Sequence, residues 1–158
     1  MNALQKRMVG HGAIIMLIGL IAGIGLVMKL IGGFEIFPNY IVQFELFGSD
    51  RGWARAHAGG LMNGLMIFVV ALLLWGLNAP ERLEKKLFWM IVGAGYGNTM
   101  FYWGGMLSAS RALTFGDNRL GETNIWGILG LVPALVFSFV SLYSFYVLAR
   151  HAFSEAKS

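Results

Sequence analysis

The sequence contains no cysteine and has few charged residues. Without cysteine, the chain can form no disulfide, no Cys-ligated zinc or iron–sulfur site and no covalent thioether bond to haem. Any cofactor must therefore be held by histidine, tyrosine or carboxylate side chains, or by shape. Charged residues make up 13% of the chain, whereas a soluble domain carries about 25%. No basic run is interleaved with exposed aromatic residues, so nucleic-acid binding has little support.

Long apolar stretches take the place of the missing charges, and hydrophobic residues make up 57% of the chain. Four stretches come close to the roughly 20 residues that a helix needs to cross a bilayer: residues 12–31, 58–77, 87–107 and 125–148. The alternating ten-residue pattern of a membrane barrel is absent. The sequence therefore predicts one domain, residues 1–158, that is an all-α integral membrane protein with a four-transmembrane-helix bundle.

The distribution of basic residues predicts the orientation of this bundle. Seven basic residues fall on one side: Lys6, Arg7, Arg82, Lys85, Lys86, Arg150 and Lys157. Four basic residues fall on the other side: Arg51, Arg55, Arg111 and Arg119. Lys29, near the end of the first span, reaches toward that second side. Because basic residues concentrate on the cytoplasmic side, we expect both termini in the cytoplasm.

The connection at residues 32–53 is unusual for a loop. It is too apolar to be solvated, and Pro38 and its acidic residues interrupt it too often for a span. We expect this connection to lie at the membrane interface or to dip back over the helix ends, where it could cover a pocket with Glu35 and Glu45 contributing.

Small residues spaced four apart predict close helix packing in the membrane. These are the pairs Gly19/Gly23, Gly60/Gly64 and Gly93/Gly97. The pattern leaves open whether they pack within one chain or between subunits.

Polar side chains inside the spans point to a candidate site, since they are costly there and are often functional. Asn63 lies six residues after His57, about 9 Å deeper in the membrane. Tyr102 lies about 7.5 Å from the same surface on the antiparallel third span, and Asn98 shares its face. Each has a simpler explanation: His57 as an interfacial residue, the asparagines as hydrogen bonds between helices, and Tyr102 as part of an aromatic belt.

Several stretches in this order resemble the styrene oxide isomerase family, membrane enzymes of bacterial styrene degradation. They are Gly10-His11-Gly12, Gly32-Gly33-Phe34-Glu35-Ile36, Gly52-Trp53-Ala54-Arg55-Ala56-His57, Asn63-Gly64, Phe101-Tyr102 and Leu113-Thr114-Phe115-Gly116. The resemblance extends over nearly the whole chain. The sequence departs from the family pattern at Gly104-Gly105-Met106, Asp117 and Arg119, positions that could change the preferred substrate size.

The resemblance implies a homotrimer in the bacterial inner membrane with haem b, in its ferric form, bound between protomers. His57 would be the axial ligand of the iron, and Asn63 and Tyr102 would line its open side. The implied reaction is a Meinwald rearrangement without net redox change, in which the ferric Lewis acid assists opening of the epoxide of styrene oxide. A 1,2-hydride shift then gives phenylacetaldehyde.

Three arginines are candidates for binding the haem propionates, because guanidinium groups pair well with carboxylates. Arg51, Arg55 and Arg111 are chosen for their charge and for their location near the same membrane surface.

Three other functions stay open. The chain also resembles hydroxylaminobenzene mutase, which would use a similar scaffold to rearrange an N-hydroxy arene. A b-type cytochrome would bind haem between His11 and His57 and pass electrons. A structural or transport protein would bind no cofactor.

Overall fold

The computed structural model describes residues 1–156, in which four long helices account for most of the chain. They are α1 (Ala3–Ile31), α2 (Asp50–Gly76), α3 (Glu81–Met106) and α4 (Ile125–Glu155). Each of the four predicted spans lies almost wholly inside one of these helices, which confirms a predominantly helical fold. Lys157, which entered the prediction of orientation, lies outside the described residues.

Hydrogen bonds at one end of the molecule fix the directions of the helices. The buried carboxylate of Glu84, in the first turn of α3, accepts a hydrogen bond from Asn2 Nδ2 at 2.6 Å and another from the side chain of Gln5. The beginnings of α1 and α3 therefore lie together. Lys86 Nζ donates to the hydroxyl of Tyr143 at 2.8 Å, which places the second half of α4 at this end as well. Successive helices thus run in alternating directions.

The third helix occupies the centre of the arrangement. It contacts α1, α2 and α4, whereas α4 packs mainly on α3. The main apolar core lies between α1, α2 and α3 and includes Met8, Ile15, Ile67, Leu74 and Ile91, all of them almost completely buried.

Glycines allow the helix backbones to approach closely, as their spacing predicted. A Cβ atom at Gly60 of α2 would lie 2.5 Å from the Cα atom of Gly19 in α1. At the interface of α3 with α4, a Cβ atom at Gly93 would overlap the ring of Phe137. These glycines therefore pack within one chain.

Three helices of the described residues, α1, α2 and α4, are long and apolar enough to cross a membrane. The third helix has 26 residues and is long enough, but its second half includes Asn98, Tyr102 and several glycines. Its central position explains this composition, because its polar side chains face other helices.

The connection after α1 contains two β-strands that the sequence analysis did not predict. Residues Gly33–Phe37 (β1) and Tyr40–Gln43 (β2) pair as an antiparallel hairpin. Asn39 takes a left-handed conformation at the turn (φ 69°), and the rings of Phe37 and Tyr40 stack 4.8 Å apart. Every residue of the hairpin except Gly33 is exposed. Gln43 at the end of β2 lines a cavity of about 450 Å³ together with Lys29 and Glu45, so this connection borders a pocket through Glu45, whereas Glu35 does not line it.

Candidate functional site

His57 is held against α1 by a backbone hydrogen bond. Its Nδ1 atom lies 2.9 Å from the carbonyl oxygen of Gly19. A carbonyl oxygen can only accept, so Nδ1 carries the hydrogen and the lone pair of the neutral imidazole is on Nε2. Nε2 forms no hydrogen bond with any of residues 1–156, and the side chain is half-buried. The imidazole is thus oriented with its basic nitrogen free.

Tyr102 contacts the opposite side of α2. A Cβ atom added at Gly59 would overlap the Tyr102 ring, so the glycine is what allows the ring to lie against α2. The ring is half-buried, and its hydroxyl forms no hydrogen bond among the described residues. A tyrosine hydroxyl in this state can donate to, or accept from, a ligand.

Asn63 is buried, with 6% of its surface exposed, and joins α2 to α3. Its Nδ2 donates to the carbonyl oxygen of Gly59 at 2.7 Å, and its Oδ1 accepts from Nδ2 of Asn98 at 3.0 Å. One of its N–H groups remains available. The predicted proximity in depth is found, since Tyr102 and Asn63 both contact Gly59.

His57 and the pair Asn63 and Tyr102 lie on two different sides of α2. At about 100° per residue, His57 and Gly59 point roughly 160° apart around the helix. Between them runs a strip of α2 that is exposed along its length and includes Ala54, Ala58 and Met62. Within one chain, the predicted site residues therefore border this strip from both sides and do not enclose a single pocket.

The three candidate arginines come together at the start of α2. Arg51, Arg55 and Arg111 line a cavity of about 130 Å³, together with Ser49, Gly52 and Gly105. The guanidinium carbon of Arg55 also lies 5.4 Å from the centre of the Phe101 ring, which is within range of a cation–π interaction. Since Arg51 and Arg55 border the same strip as His57, the structure brings these charges near the candidate site.

Trp53 belongs to this region and was not predicted. It lies one helical turn before His57 and packs on Gly25 of α1, and its Nε1 donates to the carbonyl oxygen of Phe47 at 2.9 Å. The centre of its ring is 5.5 Å from that of Trp103. The i, i+4 spacing from His57 was the available signal.

His11 forms a separate polar pair in the other half of the bundle. Its Nδ1 lies 3.0 Å from the hydroxyl of Tyr96. His11 lies eight residues before Gly19, the partner of His57, so the two histidines are about 12 Å apart along α1. Two nitrogens bound to one metal are only about 4 Å apart, at about 2 Å from each. The two histidines of one chain therefore cannot hold the same iron, which argues against the b-type cytochrome.

Comparison with known proteins supplies the family. A family model described as styrene oxide isomerase matches residues 4–153. A styrene-oxide isomerase from Pseudomonas fluorescens is 37% identical over 158 residues, covering 100% of this chain and 94% of the relative. The similarity thus includes every residue of the candidate site.

Proposed function

This chain belongs to the styrene oxide isomerase family and is an isomerase, and we propose that it converts styrene oxide into phenylacetaldehyde by a Meinwald rearrangement. The benzylic C–O bond of the epoxide breaks, and positive charge develops on the carbon that the aromatic ring can stabilise. A hydride then moves from the neighbouring carbon to the benzylic carbon as the carbonyl forms. All atoms of the substrate are retained, so no external redox partner is consumed.

The single observation that carries the proposal within the structure is the state of His57. Metal-binding histidines commonly donate their second N–H to a backbone carbonyl, which fixes the ring and raises the basicity of the other nitrogen. His57 has this arrangement, with Nδ1 at 2.9 Å from the Gly19 oxygen and Nε2 unpartnered among residues 1–156. His57 would hold the iron of haem b through Nε2, and the bound ferric haem would supply a Lewis acid for the epoxide oxygen.

Tyr102 and Asn63 would assist on the side of α2 that faces α3. The Tyr102 hydroxyl is free to donate a hydrogen bond to the epoxide oxygen, where negative charge develops as the C–O bond breaks. Asn63 has one remaining N–H for the same purpose, while its other bonds hold α2 against α3. These donors stabilise the transition state most strongly if they are already oriented in the resting protein.

Exclusion of water is the second contribution of the protein. Water would trap the developing cation as a diol, so the site must be dry. The outer surfaces of the helices away from the strip on α2 are apolar, including Leu20, Ile24 and Leu129. We propose that the apolar substrate reaches the site from the bilayer through these surfaces.

We further propose that a second copy of the chain covers the exposed strip of α2, in the homotrimer that the family resemblance implies. The support is that His57 and Tyr102 lie on the two borders of this strip, with small side chains, Ala54 and Ala58, between them. A flat cofactor between protomers would contact both borders, whereas one chain alone leaves the strip open.

For the membrane arrangement, we propose that all four helices cross the bacterial inner membrane with both termini in the cytoplasm. At about 1.5 Å per residue, α3 is about 39 Å long and reaches across a hydrocarbon core of about 30 Å. Its central position supports the crossing, because Asn98 is paired with Asn63 and need not contact lipid.

The test is to give styrene oxide to membranes that contain the protein, without nicotinamide cofactors, and to measure phenylacetaldehyde by gas chromatography. We expect product in the wild type and none above background in His57→Ala, together with loss of the haem absorption band in the variant. A wild type with haem but no product from styrene oxide would contradict the proposed substrate. Turnover of an N-hydroxy arene by that protein would instead favour the mutase.

A further inference from the structure

Arg51, Arg55 and Arg111 line one pocket, and none of them forms an ion pair with another of the described residues. The ion pairs among residues 1–156 lie elsewhere, for example between Lys29 and Glu45 and between Lys85 and Glu81. Asp50, in the same first turn of α2, forms no ion pair with these arginines. Arg55 and Arg111 line the same cavity of about 130 Å³, together with Arg51. Three cations thus face one cavity without an acidic partner.

The side chain of Arg55 also lacks a hydrogen-bond acceptor among the described residues. Its Nε atom is buried and has no partner among the described residues. A guanidinium group has five N–H donors and no acceptor, so only an acceptor from another molecule can satisfy it in this position. Such a buried, unsatisfied donor is uncommon in folded proteins and calls for an explanation.

The backbone is shaped so that the arginines converge. A Cβ atom at Gly105 would lie 2.6 Å from a terminal nitrogen of Arg55 and 2.9 Å from the carbonyl oxygen of Arg111. Arg111 and the following Ala112 both take left-handed backbone conformations, with φ values of 58° and 56°. A non-glycine residue adopts this conformation at a cost. Arginines that served only for solubility would instead extend into water, away from each other.

The position of the pocket also requires a reason. The distribution of basic residues predicts that this end of the molecule is the non-cytoplasmic side, where arginine is disfavoured. Three of the four arginines on this side line the one pocket. The fourth, Arg119, is exposed in the same connection and does not line it.

We propose that this pocket binds the oxyanion group, a carboxylate or a phosphate, of a bound amphiphile. Arginine pairs with both groups through two parallel N–H···O bonds, and the first turn of α2 adds the positive end of its helix dipole. The cavity of about 130 Å³ accommodates a charged group. A larger cavity of about 470 Å³ shares Ser49, Gly105 and Arg111 with it and has room for the adjoining part of the molecule.

The oxyanion group can come from two sources. One is a propionate of haem, which rests on the proposed function, and the other is the phosphate of an anionic phospholipid. Both are tested on the full-length protein, in the wild type, Arg55→Gln and Arg111→Gln. Arg119→Gln is the matched control, since it removes the same charge from the same end of the molecule without touching the pocket. Arg55→Lys keeps the positive charge but cannot form two parallel N–H···O bonds. It therefore tests the pocket even if Arg55→Gln fails to fold.

The first arm titrates haem-depleted protein with haem and with haem dimethyl ester, whose propionates are uncharged, and follows the haem absorption band. If the pocket binds a propionate, the wild type and Arg119→Gln bind the ester at least about tenfold more weakly than the free acid. Arg55→Gln and Arg111→Gln then bind both forms equally weakly, and Arg55→Lys is intermediate.

The second arm measures co-purified phospholipid by native mass spectrometry. If the source is a lipid, the pocket variants lose a lipid that the control retains.

The outcomes separate this inference from the proposed function. A wild type that binds neither form of haem contradicts the haem proposal, and the lipid arm still decides the pocket. A wild type that binds haem through His57 but shows no dependence on Arg55 or Arg111 in either arm overturns the pocket proposal alone.

Discussion

Nδ1 of His57 lies 2.9 Å from the carbonyl oxygen of Gly19, so the orientation of this imidazole is set by the backbone of the neighbouring helix. The contact depends on the close approach of α1 to α2, which the glycines at their interface allow. A local feature of sequence, small residues along α1, therefore determines which nitrogen of His57 is left without a hydrogen bond among the described residues.

Gly23→Ala should disturb this orientation without changing any proposed ligand. The added Cβ atom would lie 2.6 Å from His57 Nδ1, and the imidazole would have to move from its hydrogen bond. Because partners that orient a metal ligand typically contribute 10–100-fold, we expect haem affinity to fall by about tenfold, measured by titration of the absorption band. Gly10→Ala is the control, since a Cβ atom there meets nothing within 4 Å. Equal haem affinity in both variants would contradict the role of the Gly19 bond.

Tyr102→Phe should retain haem and lose turnover. The phenylalanine ring fills the same space against Gly59, while the hydroxyl proposed to stabilise the epoxide oxygen is removed. Loss of one preorganised donor lowers kcat by about 10²-fold in comparable sites, and a steady-state assay with styrene oxide measures it. Tyr96→Phe on the same helix is the control, because the Tyr96 hydroxyl bonds to His11 and not to the candidate site. Wild-type kinetics in Tyr102→Phe would remove Tyr102 from the mechanism.

His11→Ala should keep both the haem band and turnover. The variant loses the 3.0 Å contact with Tyr96, for which we expect a stability cost of about 1 kcal/mol. Because His11 is about 12 Å along α1 from Gly19, which holds His57, removing His11 leaves the proposed ligand of the iron untouched. The absorption spectrum and the product assay on purified protein check this expectation. A His11→Ala protein without haem would revive the cytochrome alternative.

The sequence predicted the four helices because the length of an apolar run is a direct measure of what a bilayer requires. It missed the start of α2 at Asp50 for the same reason, since Asp50, Arg51 and Arg55 end the apolar run although the helix continues through them. The available signal was local: Ser49 caps this helix by accepting a hydrogen bond from the Gly52 N–H.

The hairpin was missed because a test for apolar length ignores turn chemistry. Pro38 and Asn39 form the turn between two short runs rich in aromatic and β-branched residues, which is a strand signal.

The sequence also could not predict that His57 and Tyr102 lie on different sides of α2. Helical periodicity gives the face on which His57 or Tyr102 lies, but only packing shows that one face meets α1 and the other α3.

The hydrogen bond between Asn63 and Asn98 allows a test that separates a structural from a catalytic role for Asn63. Asn63→Ala and Asn98→Ala both remove the 3.0 Å bond that joins α2 to α3. Such bonds between membrane helices contribute about 0.6 kcal/mol on average, so each variant should lower the free energy of unfolding in mixed micelles by at least this amount. Asn63→Ala also loses the bond from Asn63 to the Gly59 carbonyl oxygen, which lies within α2. The double variant should be less destabilised than the sum of the two.

The turnover of the two single variants should distinguish a structural from a catalytic role for Asn63. If the remaining N–H of Asn63 contacts the substrate, Asn63→Ala lowers kcat by at least about tenfold more than Asn98→Ala does, since only the first removes a donor from the site. Equal losses of turnover would mean that Asn63 acts only by holding α3, and with it Tyr102, against Gly59. Because the two variants lose the same bond between the helices, a larger loss of kcat in Asn63→Ala comes from what Asn63 alone provides, its remaining N–H and its bond to the Gly59 carbonyl oxygen.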